Sequence, residues 1–143
     1  MQLLKDAPAI LVTALLVGGA VTIIWKMVAP ADQADVAAVA VPMLSASAVE
    51  GKRAFDANCA TCHGESGIGT GKGPPLVHDI YNPGHHGDMS FLAAAQRGVP
   101  QHHWQFGNMP PLPQVTDGQM AVIVRYIREL QEANGIFYRQ HNM

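Results

Sequence analysis

Cys59-Ala60-Thr61-Cys62-His63 is the stretch on which the reading of this chain turns. Two thiols three residues apart, followed at once by an imidazole, form the C-x-x-C-H signature of covalent haem attachment. The chemistry needs that order. Two thiols add across two vinyl groups on adjacent edges of one porphyrin, and the next residue must stand under the iron to offer a ring nitrogen. Other readings use the same residues. A redox-active C-x-x-C would follow a strand in a βαβ unit, and no such unit is visible. A zinc site needs further ligands, which His85, His86, His102 and His103 offer. A disulfide between residues three apart is rare.

Upstream of the motif, Ser47-Ala48-Val49-Glu50 has capping-box spacing and predicts a helix to about Asn58. Gly51, Phe55 and Cys59 lie four apart and share one face of it. Downstream, Thr116-Asp117-Gly118-Gln119 is a second capping box, with Val115 and Met120 placed as its hydrophobic staple. The helix it starts carries Met120, Ile123, Val124, Ile127 and Leu130 as an i, i+3, i+4 stripe. Asn134-Gly135 ends that helix with a left-handed cap. A shorter helix is expected from Ser90 to Arg97, stopped by Gly98. The stretches Gly64–Gly87 and Val99–Gln114 are rich in Gly, Pro and His, and no alternating strand pattern occurs. These signals predict an all-α domain. Loops that long are acceptable in a small domain only if a large apolar ligand fills its centre.

The N-terminus is of another kind. Residues 7–25, APAILVTALLVGGAVTIIW, carry no charge. As a helix they would span about 28 Å at ~1.5 Å per residue, close to the ~30 Å hydrocarbon core of a bilayer. Trp25 and Lys26 stand where an interfacial ring and a snorkelling ammonium belong. The rival reading is a cleaved signal peptide, whose apolar core is usually ~7–15 residues. The chain therefore divides into an anchor (1–28), a linker with Pro30 and Pro42 (29–46), and a domain (47–143). Composition agrees: 48% of the 143 residues are hydrophobic and only 14% are charged. A net charge of −2 argues against a nucleic-acid surface, and two cysteines cannot build a multi-disulfide scaffold.

Over residues 47–134 the chain resembles the class I c-type cytochromes. Gly51 and Phe55 precede the first cysteine by eight and four residues, as in that family's N-terminal helix, where the glycine lets the terminal helices cross. Ile123 and Tyr126 match the partner positions. Gly73-Pro74-Pro75-Leu76 resembles the loop whose proline carbonyl orients the haem-ligating histidine, here Pro74 and His63. Gly107-Asn108-Met109-Pro110-Pro111 resembles the loop that carries the sixth ligand. The resemblance thus implies one haem c attached at Cys59 and Cys62, with His63 and Met109 on the iron. Met89 is the rival methionine, and His102 or His103 the rival imidazoles.

Such ligation favours reduced iron and leaves no open site. The expected role is single-electron transfer, not catalysis. By resemblance the partners would be a quinol–cytochrome c oxidoreductase and a terminal oxidase or reductase. The anchor would put the protein in a bacterial inner membrane, with its haem domain on the periplasmic side. The alternatives are a fixed subunit of a larger oxidase or dehydrogenase complex, and an open-face haem enzyme or sensor. Trp104 and the pairs His85-His86 and His102-His103 offer donors to haem propionates. A second copper or zinc site, built from both pairs and the loop around Asp88, is the sharper reading of those histidines.

Overall fold

In the computed structural model of the chain, residues 39–140 are described, together with Gly18, Gly19 and Thr22. Those three are helical, and the Thr22 hydroxyl donates to the Gly19 carbonyl at 2.9 Å. The rest of the expected membrane span over 7–25 lies outside the described residues. Among the described residues no helix is long and apolar enough to cross a membrane.

The first helix of the domain, α1 (Ala46–Asn58), begins earlier than the Ser47–Glu50 spacing predicts. Its cap is Ser45, whose hydroxyl accepts from the Ala48 amide at 3.2 Å. The reason is tertiary. The Glu129 carboxylate accepts from both the Ser45 amide (2.9 Å) and the Ser45 hydroxyl (2.6 Å). A partner 84 residues away holds Ser45 extended, and Ser47 falls inside the first turn. Further back, Asn134 exchanges two hydrogen bonds with the Ala40 backbone, each 2.9 Å. The last residues of the linker are therefore laid against the domain, with Val39 and Leu44 packed on its core.

A one-turn helix follows, α2 (Ala60–His63), and then α3 (Asp88–Arg97) and α4 (Asp117–Ala133). Both bonds of the Thr116–Gln119 capping box are present, and Val115 and Met120 are buried in one cluster beside it. At the other end Ile136 N–H donates to the Gln131 carbonyl (2.8 Å) and Gly135 N–H to that of Glu132 (3.1 Å). With Gly135 at φ 77°, this is a full Schellman cap. The helix α3 starts at Asp88, ahead of the expected Ser90. Among the described residues the only β pairings are isolated bridges, so the fold is all-α as expected.

The core is the crossing of α1 and α4. Phe55 and Tyr126 meet edge to face with ring centroids 5.5 Å apart, both fully buried with Ile123. Gly51 permits the crossing: a Cβ there would stand 2.6 Å from the Val122 carbonyl carbon and 2.9 Å from the Tyr126 Cβ. The face of α4 also buries two polar side chains, Arg128 and Gln131. Arg128 donates to the Tyr81 carbonyl (2.8 Å), the Gln131 amide oxygen (2.6 Å), the His86 carbonyl and the Asp88 carboxylate (2.9 Å). Its guanidinium lies 5.0 Å from the Phe91 ring centre. Gln131 donates to the carbonyls of Leu76 and Tyr81. Two side chains of one helix thus hold the loop between α2 and α3 in place.

Candidate functional site

The site starts where α1 runs into α2. Cys59 ends one helix and begins the next, with its N–H on the Phe55 carbonyl at 2.7 Å. The turn brings Cys59, Cys62 and His63 onto one wall of a cavity of about 390 Å³. That is within the ~300–1,000 Å³ typical of ligand sites. Helices α3 and α4 contribute Phe91, Ile123 and Ile127 to its lining, and the loop 99–114 contributes Trp104 and Met109. The two cysteines are free, not disulfide-linked. Burial, reinforced by the neighbouring Cys62, pushes the Cys59 thiol up to about 11. A reactive redox dithiol needs the opposite shift.

His63 is held by its far nitrogen. Its Nδ1–H donates to the Pro74 carbonyl at 2.9 Å, which fixes the tautomer and leaves Nε2 with its lone pair. Burial draws the His63 pKa down, and the bond to Pro74 opposes that only in part, so the ring is held neutral. Pro74 is fixed by a loop that folds back on α2, where the Thr70 hydroxyl donates to the Cys62 carbonyl at 2.6 Å.

Met109 is pinned by its backbone. It exchanges two hydrogen bonds with Val99, 2.9 and 3.0 Å, at the exit of α3. Gly98 makes the approach possible at φ 73°, where a Cβ would press on the Met109 carbonyl oxygen. The rival methionine, Met89, is 72% exposed on α3 and does not line the cavity. Met120 lines it but is buried in the core cluster, as the helical stripe suggests.

Trp104 carries the most telling atom. Its indole Nε1 is buried and has no hydrogen-bond partner. A buried donor without an acceptor costs about 1–3 kcal/mol; the Tyr81 phenol lies close enough to feel the indole but completes no hydrogen bond with it, so the N–H remains available to a bound group. The ring stands edge-on to His78 at 5.0 Å. Tyr81, a cavity residue that the sequence reading missed, lies beside it. Burial raises the Tyr81 phenol pKa, and the nearby Trp104 indole works against that. An apolar slot, two thiols, an oriented imidazole and an orphaned donor for a carboxylate together fit a haem.

The comparison with protein families agrees. The cytochrome c family model matches residues 48–131, more than half of the chain. This chain belongs to the cytochrome c family. Neither curated proteins nor solved structures give a significant match. As a class I c-type cytochrome it carries covalently bound haem c and serves electron transfer.

The cytochrome also gathers its histidines. His85, His86 and His103 offer ring nitrogens that all lie within 4.8 Å of one another. His102 stands beside them, its ring centre 4.4 Å from that of His103. Among the described residues neither cysteine joins this group, which removes the zinc reading of C-x-x-C. Asp88 does not join it either, because its carboxylate is engaged by Arg128.

Proposed function

We propose that this cytochrome is a membrane-tethered single-electron carrier whose haem iron is held between His63 and Met109. The observation that carries the reading is the bond from His63 Nδ1 to Pro74, which aims Nε2 into a cavity that Met109 also lines. Haem bound there supplies a one-electron iron couple. The protein's part is positional. Pro74 orients the imidazole, Val99 and Gly98 hold the Met109 backbone, and the apolar lining excludes water, so little rearranges when charge changes. A thioether as sixth ligand favours the reduced state and blocks small-molecule access. That argues for transfer over catalysis.

The uncharged stretch 7–25 is read as the anchor, in a bacterial inner membrane with the haem domain periplasmic. A quinol–cytochrome c oxidoreductase as donor and a terminal oxidase or reductase as acceptor would then meet a confined partner, at effective concentrations near ~mM. One observation favours a fixed subunit of a larger complex as the second reading. Residues 39–45 are laid against the domain, so at most residues 29–38 of the linker are left to bridge to the anchor. Ten residues reach at most about 36 Å at ~3.3–3.6 Å per residue. Co-purification after mild detergent extraction separates the two readings.

The ligand test is spectroscopic. The oxidised protein should show the sulfur-to-iron charge-transfer band, and Met109→His should lower the midpoint potential by on the order of tenths of a volt. An absent band, with carbon monoxide binding to the reduced protein, would replace the carrier by an open-face enzyme or sensor. Intact mass decides whether residues 1–28 remain on the mature chain.

A further inference from the structure

Three imidazoles from two separate loops converge at the mouth of the haem cavity. His85 and His86 are neighbours in sequence, yet their rings stack at 4.5 Å with 5° between planes. His103 arrives from the loop 99–114 and stands edge-on to both, at 5.1 and 5.3 Å. His86 and His103 line the cavity, whereas none of the three belongs to the haem-attachment motif.

We infer that His85, His86 and His103 form a binding site for a divalent transition-metal ion of the imidazole-preferring kind, copper(II) or zinc(II). Ligand chemistry favours it. Three neutral imidazoles with an open fourth position make an established N-donor set for such ions. Metal–nitrogen bonds of ~2.0–2.1 Å in tetrahedral geometry put donors roughly 3.4 Å apart. The observed spread of up to 4.8 Å therefore needs a contraction of about 1.4 Å at most. His103 is exposed on the loop 99–114, where rotation about its side-chain bonds would supply that movement.

The other side of the site is already held. His86 Nδ1–H donates to the Ile80 carbonyl at 2.8 Å, which presents Nε2 as the donor. The His86 carbonyl in turn accepts from the buried Arg128, anchoring the backbone under the ring. Carbonyl-fixed tautomers of this kind are how proteins prepare histidines for metals. An ion bound here would tie the loop before α3 to the loop after it, across the cavity mouth. His102 has another engagement, with Nδ1 on the Pro100 carbonyl at 2.9 Å, and lies outside the triad.

The test uses the full-length, haem-loaded protein, titrated calorimetrically with copper(II) and with zinc(II). One ion per chain is expected, at micromolar affinity or tighter, with copper ahead of zinc. The copper-loaded protein should show nitrogen hyperfine structure in its paramagnetic resonance spectrum. His85→Ala and His103→Ala should each weaken binding by at least ~100-fold, beyond the ~10–100-fold typical of losing an outer partner. His102→Ala should change it less than about threefold. Haem absorbance of all three variants should match the parent, which shows that they fold and load. The inference falls if neither ion binds tighter than ~10 µM, or if His102→Ala is as damaging as His103→Ala. It also falls if His103→Ala alters the haem ligand bands, since that histidine would then serve the iron. A failed Met109 test would leave these outcomes untouched.

Discussion

Gly51→Ala sets two opposed effects against each other, and the structure says which wins. In the middle of α1, alanine gains about 1 kcal/mol over glycine in helix propensity. The new methyl, however, would lie 2.6 Å from the Val122 carbonyl carbon and 2.9 Å from the Tyr126 Cβ. The Val122 carbonyl oxygen is nearer still, and ordinary contact begins at 3.4 Å, so the helices must part by well over the 0.8 Å that the carbonyl carbon alone would require. No rotamer change relieves this, because the clashing atoms are backbone or attached directly to it. A gap of ~0.5–1 Å forfeits a quarter to a half of each dispersion well it opens. Phe55, Ile123 and Tyr126 lie at the crossing, each worth roughly 1.5–3 kcal/mol when buried. A wider parting loses about half of that, or ~2–4 kcal/mol, at or above the usual overpacking penalties. Less the propensity gain, the net is a destabilisation of about 1–3 kcal/mol, or roughly 4–24 °C in Tm for a domain of this size. Guanidinium unfolding of the haem-loaded protein measures it. Gly118→Ala is the control, since a Cβ there meets nothing within 4 Å and should be neutral or stabilising. If Gly51→Ala is as well tolerated as Gly118→Ala, the close crossing of α1 and α4 is refuted.

Trp104→Phe keeps the aromatic packing but removes the orphaned indole N–H. If that N–H donates to a haem carboxylate, the loaded protein should lose about 1.5–3 kcal/mol in denaturant unfolding, whereas unchanged or increased stability would mean that it donates to nothing. Arg128→Met should cost about 2–4 kcal/mol, chiefly by stranding the buried Gln131 amide oxygen and the His86 carbonyl. Asp88 contributes little to that loss, as its side chain is 68% exposed and returns to water; Arg128→Lys should not rescue, lacking the fork geometry. Burial opposes ionisation of Glu129, but the Ser45 hydroxyl and amide and Arg125 outweigh it and hold its pKa below the usual 4.5. A depressed folded pKa contributes stability above the unfolded value and loses it as pH falls through the folded one. The parent should therefore lose stability below about pH 4.5 in a way that Glu129→Gln does not, as read in pH-dependent urea unfolding.

Local chemistry was legible without coordinates. Cys59, Cys62 and His63 depend on bonds between near neighbours, and so do the Thr116 capping box and the Gly135 cap. Such features are written in spacings of a few residues. Arg128 and Gln131 were half legible. They sit four positions after Val124 and Ile127, on the apolar face of α4, where a polar residue must find buried partners. Which carbonyls they reach depends on how the 76–86 loop returns, and no local pattern contains that.

The sequence by itself determined the haem-attachment motif, the helical class, the caps of α4 and the need for a large central ligand. Each follows from periodicity or covalent chemistry over short distances. Only the tertiary structure decided that Ser45 and not Ser47 begins α1, because Glu129 chooses it from 84 residues away. It also decided that Trp104 Nε1 is buried without an acceptor, and that three of the four paired histidines converge while Asp88 turns to Arg128. Those outcomes rest on groups distant in sequence competing for the same partners. That competition is resolved only when the chain has closed around its cavity.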